Sequence, residues 1–122
     1  MSRKNAMRVV SLAVVVFGLS MVAGAHTKLT KSIPADGATV AALASVELVF
    51  NEAADVKLTK IEVAGPSGKV ELGPAHSMSP KSVMAIVTGK MEDGKYAVTW
   101  QTAGDDGHVV KGEFSFSVKH TN

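Results

Sequence analysis

Cysteine is absent from the 122 residues. That removes disulfides, thiolate zinc sites, iron–sulfur clusters and cysteine nucleophiles. Any metal bound by this chain takes nitrogen, oxygen or thioether ligands. Aromatic residues are scarce, with one tryptophan, one tyrosine and four phenylalanines. Catalytic signatures are missing as well. The chain has no G-x-S-x-G, no H-E-x-x-H and no glycine-rich phosphate cradle. Its serines stand in no recognisable nucleophile setting. The sequence therefore reads as a binding protein and not an enzyme.

Charge of one sign is also lacking once the chain is divided. Arg3, Lys4 and Arg8 open it, and an almost wholly apolar stretch, VVSLAVVVFGLSM, follows from Val9 to Met21. Val22-Ala23-Gly24-Ala25 then places small residues at an A-x-A end. A charged start, an apolar middle and this ending make a secretory signal peptide, cut between Ala25 and His26. The apolar run to Ala25 is at the short end of what spans a bilayer, about 20 residues, so a retained anchor is the lesser reading. Residues 1–25 are the signal, and 26–122 form one mature domain of 97 residues. That domain has ten lysines and arginines against eleven acids. It has no basic footprint for nucleic acid, and it meets a membrane only through the signal before cleavage.

What is present after His26 is a series of short strands between turn signals. Val46, Leu48 and Phe50 alternate with Glu47 and Val49. Similar alternation runs from Leu58 to Val63, from Ser82 to Thr88, through Tyr96, Val98 and Trp100, and through Phe114, Phe116 and Val118. Lys28 to Ile33 reads as an edge strand stopped by Pro34, and Lys69 to Leu72 as a short strand. Pro34-Ala35-Asp36-Gly37, Gly65-Pro66-Ser67-Gly68, Glu92-Asp93-Gly94-Lys95 and Gly104-Asp105-Asp106-Gly107 mark turns. About seven strands at this spacing predict an all-β sandwich. Ala38 to Val46 reads as a loop.

Four histidines are the main metal-ligand candidates. Cleavage before His26 gives it a free α-amine beside its imidazole. Amine and Nδ1 together close a chelate ring on a metal, and a metal readily displaces the proton of either at neutral pH. The competing reading is a histidine left there incidentally. Asp106 and His108 stand two apart; on an extended chain their side chains face one way and offer carboxylate and imidazole together. The alternative is a polar turn. His76, Met78 and Met84 are either soft ligands for Cu(I) or, in the case of the methionines, packing residues. His120 lies in the tail and is expected to be exposed.

The mature chain as a whole resembles the CopC-type periplasmic copper-binding proteins, including their YobA-like members. Three landmarks carry the likeness. His26-Thr-Lys-Leu with Ser32-Ile-Pro-Ala-Asp-Gly matches an "H-x-x-L…S-x-P-A-x-G" opening. Val46-Glu-Leu-Val-Phe-Asn-Glu52 matches "I-x-L-x-F-S-E", with Asn51 where serine is frequent. Gly94-Lys-Tyr-Ala-Val-Thr-Trp100, Asp106-Gly-His108, Lys111-Gly112 and Phe114-Ser-Phe-Ser-Val118 match the closing "G-x-Y-x-V-x-W…D-x-H-x-x-x-G-x-x-x-F-x-V".

The resemblance implies a Greek-key β-sandwich or barrel of cupredoxin-like or immunoglobulin-like form. It implies a Cu(II) site made by the amine and imidazole of His26, the imidazole of His108 and the carboxylate of Asp106. It further implies a monomer in the periplasm that sequesters copper or hands it to an inner-membrane transporter or another periplasmic copper protein. The dense methionine cluster that binds Cu(I) in some members is lacking here, so a second, Cu(I) site is not expected. Two other readings remain open. One is an interaction module at the cell envelope that uses no metal, and the other is copper redox chemistry at an N-terminal histidine.

Overall fold

The computed structural model describes residues 27–104 and 106–121. Among them are nine strands: β1 (Leu29–Ile33), β2 (Thr39–Val40), β3 (Ser45–Phe50), β4 (Lys60–Gly65), β5 (Gly68–Val70), β6 (His76–Ser79), β7 (Ser82–Ile86), β8 (Gly94–Ala103) and β9 (Val109–Val118). They form two sheets, in the orders β1-β3-β7-β6 and β2-β9-β8-β4-β5. The two strands beyond the expected seven include the short β2, which lies in the stretch read as loop and pairs parallel with β9. The other, β6, has no hydrophobic alternation and is fully exposed. Its pairing with β7 makes it a strand.

The alternation seen in the sequence becomes the sandwich interior. Val46, Leu48 and Phe50 of β3 are buried while Glu47 and Val49 between them are only partly so. Val83 and Ala85 of β7 face the same way. The other sheet contributes Val63, Tyr96, Val98, Trp100, Phe114, Phe116 and Val118. Two aromatic contacts organise this interior. Phe50 meets the edge of Trp100 across the sheets, with ring centroids 5.4 Å apart and planes at 65°. Tyr96 stacks on Phe116 within one sheet, also at 5.4 Å. As expected, β1 is an edge strand, paired only with β3.

One expected strand begins later than its alternation suggested. Leu58 is 49% exposed and lies in a 3-10 turn, Val56–Leu58. The Asp55 carboxylate accepts from the Lys57 amide at 2.9 Å and caps that turn. Strand geometry starts only at Lys60.

The connections define two poles. Strands β8 and β9 form a hairpin paired from Gly94↔Val118 to Ala103↔Val109, so the 104–108 loop caps one end. The Asp55 amide donates to the Ala103 carbonyl at 3.1 Å, and the Ala54 amide to the Pro80 carbonyl at 3.1 Å. Leu29 pairs with Phe50. The start of β1, the segment after β3 and the 104–108 loop therefore share one end of the sandwich. Among the described residues, no helix is long and apolar enough to cross a membrane.

Gly112 pairs with Trp100, and a methyl group there would overlap the Trp100 indole. Gly112→Ala is expected to lower unfolding free energy by about 1–3 kcal/mol through overpacking. Urea denaturation of residues 26–122 measures this. An unchanged midpoint would show that the ring can move aside.

Candidate metal centre

Asp106 and His108 come together through a turn and not through strand alternation. The Gly107 amide donates to the Gly104 carbonyl at 3.0 Å, reversing the chain. Asp106 Oδ1 then accepts from the His108 amide at 3.0 Å, the geometry of an Asx turn. Asp106 Oδ2 lies 3.0 Å from His108 Nδ1. An ionised carboxylate can only accept, so Nδ1 carries the proton of this bond. In the neutral imidazole, Nε2 is then the nitrogen with the lone pair. Both side chains are solvent-accessible, His108 at 67% and Asp106 at 44%.

The segment that enters β1 is held against this loop. Thr27 is buried, at 6% exposure. A methyl group on Gly104 would stand 2.6 Å from Thr27 Oγ1, 3.4 Å from the Ala53 carbonyl oxygen and 3.5 Å from Glu52 Oε1. The absent side chain at Gly104 thus leaves room for Thr27 and the half-buried Glu52 beside the loop. The Lys28 amide donates to Asn51 Oδ1 at 2.8 Å, and the Asn51 amide returns a bond to the Lys28 carbonyl at 2.9 Å. His26 itself, and the expected signal peptide before it, lie outside the described residues. Among the described residues, no three His, Asp or Glu side chains gather into a metal-binding group.

Sequence reasoning had not singled out Thr27, Asn51, Glu52 or Gly104 for the site. Glu52 carried a signal, because it ends the strand landmark quoted above. Thr27 carried one only as the neighbour of His26. Asn51 and Gly104 act through partners distant in sequence, which no local pattern reveals.

The remaining candidates are placed elsewhere. His76 pairs with Met84 across β6 and β7, and Glu47 faces Met84 from β3. Met78 sits at the irregularity in β6 and is 53% exposed. His120 is exposed, as expected, but it is tied. Its amide donates to Asp93 Oδ1 at 2.9 Å, and its Nδ1 bonds the same oxygen. This repeats the Asp106–His108 arrangement at the opposite pole, where Gly94 pairs with Val118.

The profile of the CopC domain family matches residues 29–119. The chain belongs to the CopC domain family. Its relatives include the copper resistance protein C of Xanthomonas campestris pv. juglandis, 34% identical over 93% of this chain and 98% of the relative. Protein YobA of Escherichia coli K12 is 31% identical over 78% of this chain and 80% of its own length. In three dimensions the chain resembles PcoC, a methionine-rich copper resistance protein from Escherichia coli. That likeness has a TM-score of 0.72 at 30% identity, over 78% of this chain and all of that one. CopC from Methylosinus trichosporium shares the fold, with a TM-score of 0.72 at 24% identity over 80% of this chain and 97% of that one. The all-β sandwich expected of a CopC domain is thus the fold of this chain.

The second carboxylate–histidine pair gives a pH prediction. Hydrogen bonds from the His120 amide, and then from its ring, hold the Asp93 carboxyl below its ordinary value of 3.8. A depressed folded value means that the tie stabilises above the ordinary carboxylate range and is lost as pH falls through the folded value. NMR titration is expected to find Asp93 below 3.8. Asp93→Ala, which removes the acceptor, is expected to speed exchange of the His120 amide at neutral pH. Titration at the ordinary value would contradict the tie.

Proposed function

We propose that this chain is a periplasmic copper-binding protein, exported by residues 1–25, whose mature domain 26–122 sequesters Cu(II) or hands it on in copper resistance or homeostasis. The cargo site consists of His26, Asp106 and His108. The observation that carries this reading is the burial of Thr27 against Gly104, two residues from Asp106. Thr27 lies at the pole that bears His108, and His26 is its neighbour in the sequence. With the signal removed, the α-amine and Nδ1 of His26 and Nε2 of His108 supply three nitrogens.

Asp106 supports this set in two ways. It orients the His108 ring and fixes its tautomer, as carboxylate partners of metal-bound histidines do, and its carboxylate is an oxygen donor of the kind a metal accepts. Nitrogen and oxygen donors of this kind suit Cu(II), which leads the divalent affinity order. The copper resistance relatives agree in their names with such a cargo.

The role is binding and transfer, with no catalysis. The partner is an inner-membrane copper transporter or another periplasmic copper protein, and the domain works as a monomer. We assign one copper site. The His76–Met84 pair, with Met78 exposed nearby, falls short of a dense methionine cluster for Cu(I).

The test is titration of residues 26–122 with Cu(II), followed by EPR and thermal unfolding. One equivalent is expected to give a type-2 signal. A ligand bound only by the native state stabilises by about 2.7 kcal/mol at a free concentration 100 times its dissociation constant, so the melting temperature is expected to rise. A methionine retained before His26 moves the free amine, and His108→Ala removes a nitrogen; each is expected to weaken binding by tenfold or more, roughly 1.4 kcal/mol. No signal and no thermal shift would sink the proposal and favour an interaction module without metal.

A further inference from the structure

Asn51 is the last residue before the chain turns away from β3, and its side chain points back at the segment that enters β1. Oδ1 accepts from the Lys28 amide at 2.8 Å. The Asn51 amide donates to the Lys28 carbonyl at 2.9 Å. One residue thereby grips both backbone polar groups of Lys28. The ladder then continues through Leu29↔Phe50 and is interrupted between Leu29 and Lys31. Regular pairing with β3 is thus weakest where β1 begins. An edge strand has no neighbour on its other side, and terminal residues fray unless something ties them down. On the far side of the same segment, Thr27 fills the space left by Gly104. Lys28 and Thr27 are consequently held from two directions by residues 23 and 77 positions away.

We infer that Asn51 is a positioning residue for the proposed metal centre: by clamping Lys28 it holds the segment that follows His26 at the pole that bears Asp106 and His108. The inference rests on the copper reading above and deepens it. A chelate from the first residue needs that residue in place before the metal arrives; otherwise binding carries the entropy of ordering the chain end. Serine, frequent at this position in the resembling family, has a hydroxyl on Cβ and lacks the reach of an amide oxygen. The asparagine therefore makes a side-chain bond that serine at the same backbone position does not reproduce.

The experiment compares wild type, Asn51→Ala, Asn51→Ser and Asn51→Asp, all beginning at His26. Cu(II) is titrated against a competing chelator, and the release rate and EPR parameters are recorded. Exchange of the Lys28 amide and the melting temperature of the metal-free proteins are measured in parallel. The alanine and serine variants are expected to lose affinity by roughly 10-fold or more, the scale seen when an outer partner of a metal ligand is removed. They are expected to release copper faster, to alter the EPR hyperfine splitting, and to exchange the Lys28 amide faster. Aspartate keeps an acceptor at the same reach and is expected to restore the wild-type EPR parameters and Lys28 protection.

Wild-type copper affinity and spectra in the alanine variant would overturn the inference while leaving the copper site standing. A lower melting temperature with unchanged spectra and release rate would show a merely structural role and would also overturn it. A wild-type protein that takes up no Cu(II) would instead overturn the reading of the site, and the positioning role with it; the Lys28 exchange would then report only whether the clamp exists.

Discussion

The ladder between β8 and β9 is the constraint on which the other features depend. Its ten pairs fix, residue by residue, which side chains enter the sandwich. A slip of one position would put Tyr96, Val98 and Trp100 on the face opposite Phe114 and Phe116, because side chains in a strand alternate with period two. The same ladder sets the length of the loop at its end. Pairing closes at Ala103↔Val109, and the residues left between them must turn within a short span. That turn brings the Asp106 carboxylate onto the amide and ring of His108. Core and candidate site are therefore two consequences of one register.

The opposite sheet contributes the other half of the pole. Phe50 anchors the end of β3 against Trp100, and the chain after it is tied to both Pro80 and Ala103. Thr59 and Thr102 share a buried hydroxyl contact of 2.7 Å, and Thr59 also donates to the Asp55 carbonyl at 2.8 Å. These bonds dock the segment after β3 on β8. Asn51 and Glu52 lie at the beginning of that segment, beside Lys28 and Gly104 respectively. The outcome is a rigid pole on which a carboxylate, an imidazole and the start of β1 converge. Metal sites gain from such support because the ligands need little reorganisation when the ion binds.

Much of the fold was legible in the sequence, wherever burial on one face leaves a period of two. The strands through Leu48, Val83, Val98 and Phe116 carry that mark. The edge position of β1 followed from Pro34. β6 was not legible, because His76-Ser77-Met78-Ser79 buries nothing and owes its form to β7. Leu58 misled because an apolar residue in phase with Ile61 and Val63 lies in a capped 3-10 turn. At the site, Asp106 and His108 were legible as a pair, although a turn and not an extended chain unites them. Asn51 and Gly104 were not, since their meaning comes from Lys28 and Thr27, far away in sequence. The identity of the residue before Thr27 was legible only through the signal pattern, and the role of its amine belongs to the proposal.

The central claim is that copper is held by the first residue of the mature chain together with His108. Pulsed EPR of the Cu(II)-loaded 26–122 protein tests it most directly, using ¹⁵N-labelled histidine and His76→Gln and His120→Gln variants to remove the two distant imidazoles. The account predicts couplings from two imidazoles and one amine nitrogen, with one imidazole lost in His108→Ala. A spectrum with a single imidazole, or one unchanged by His108→Ala, would contradict it.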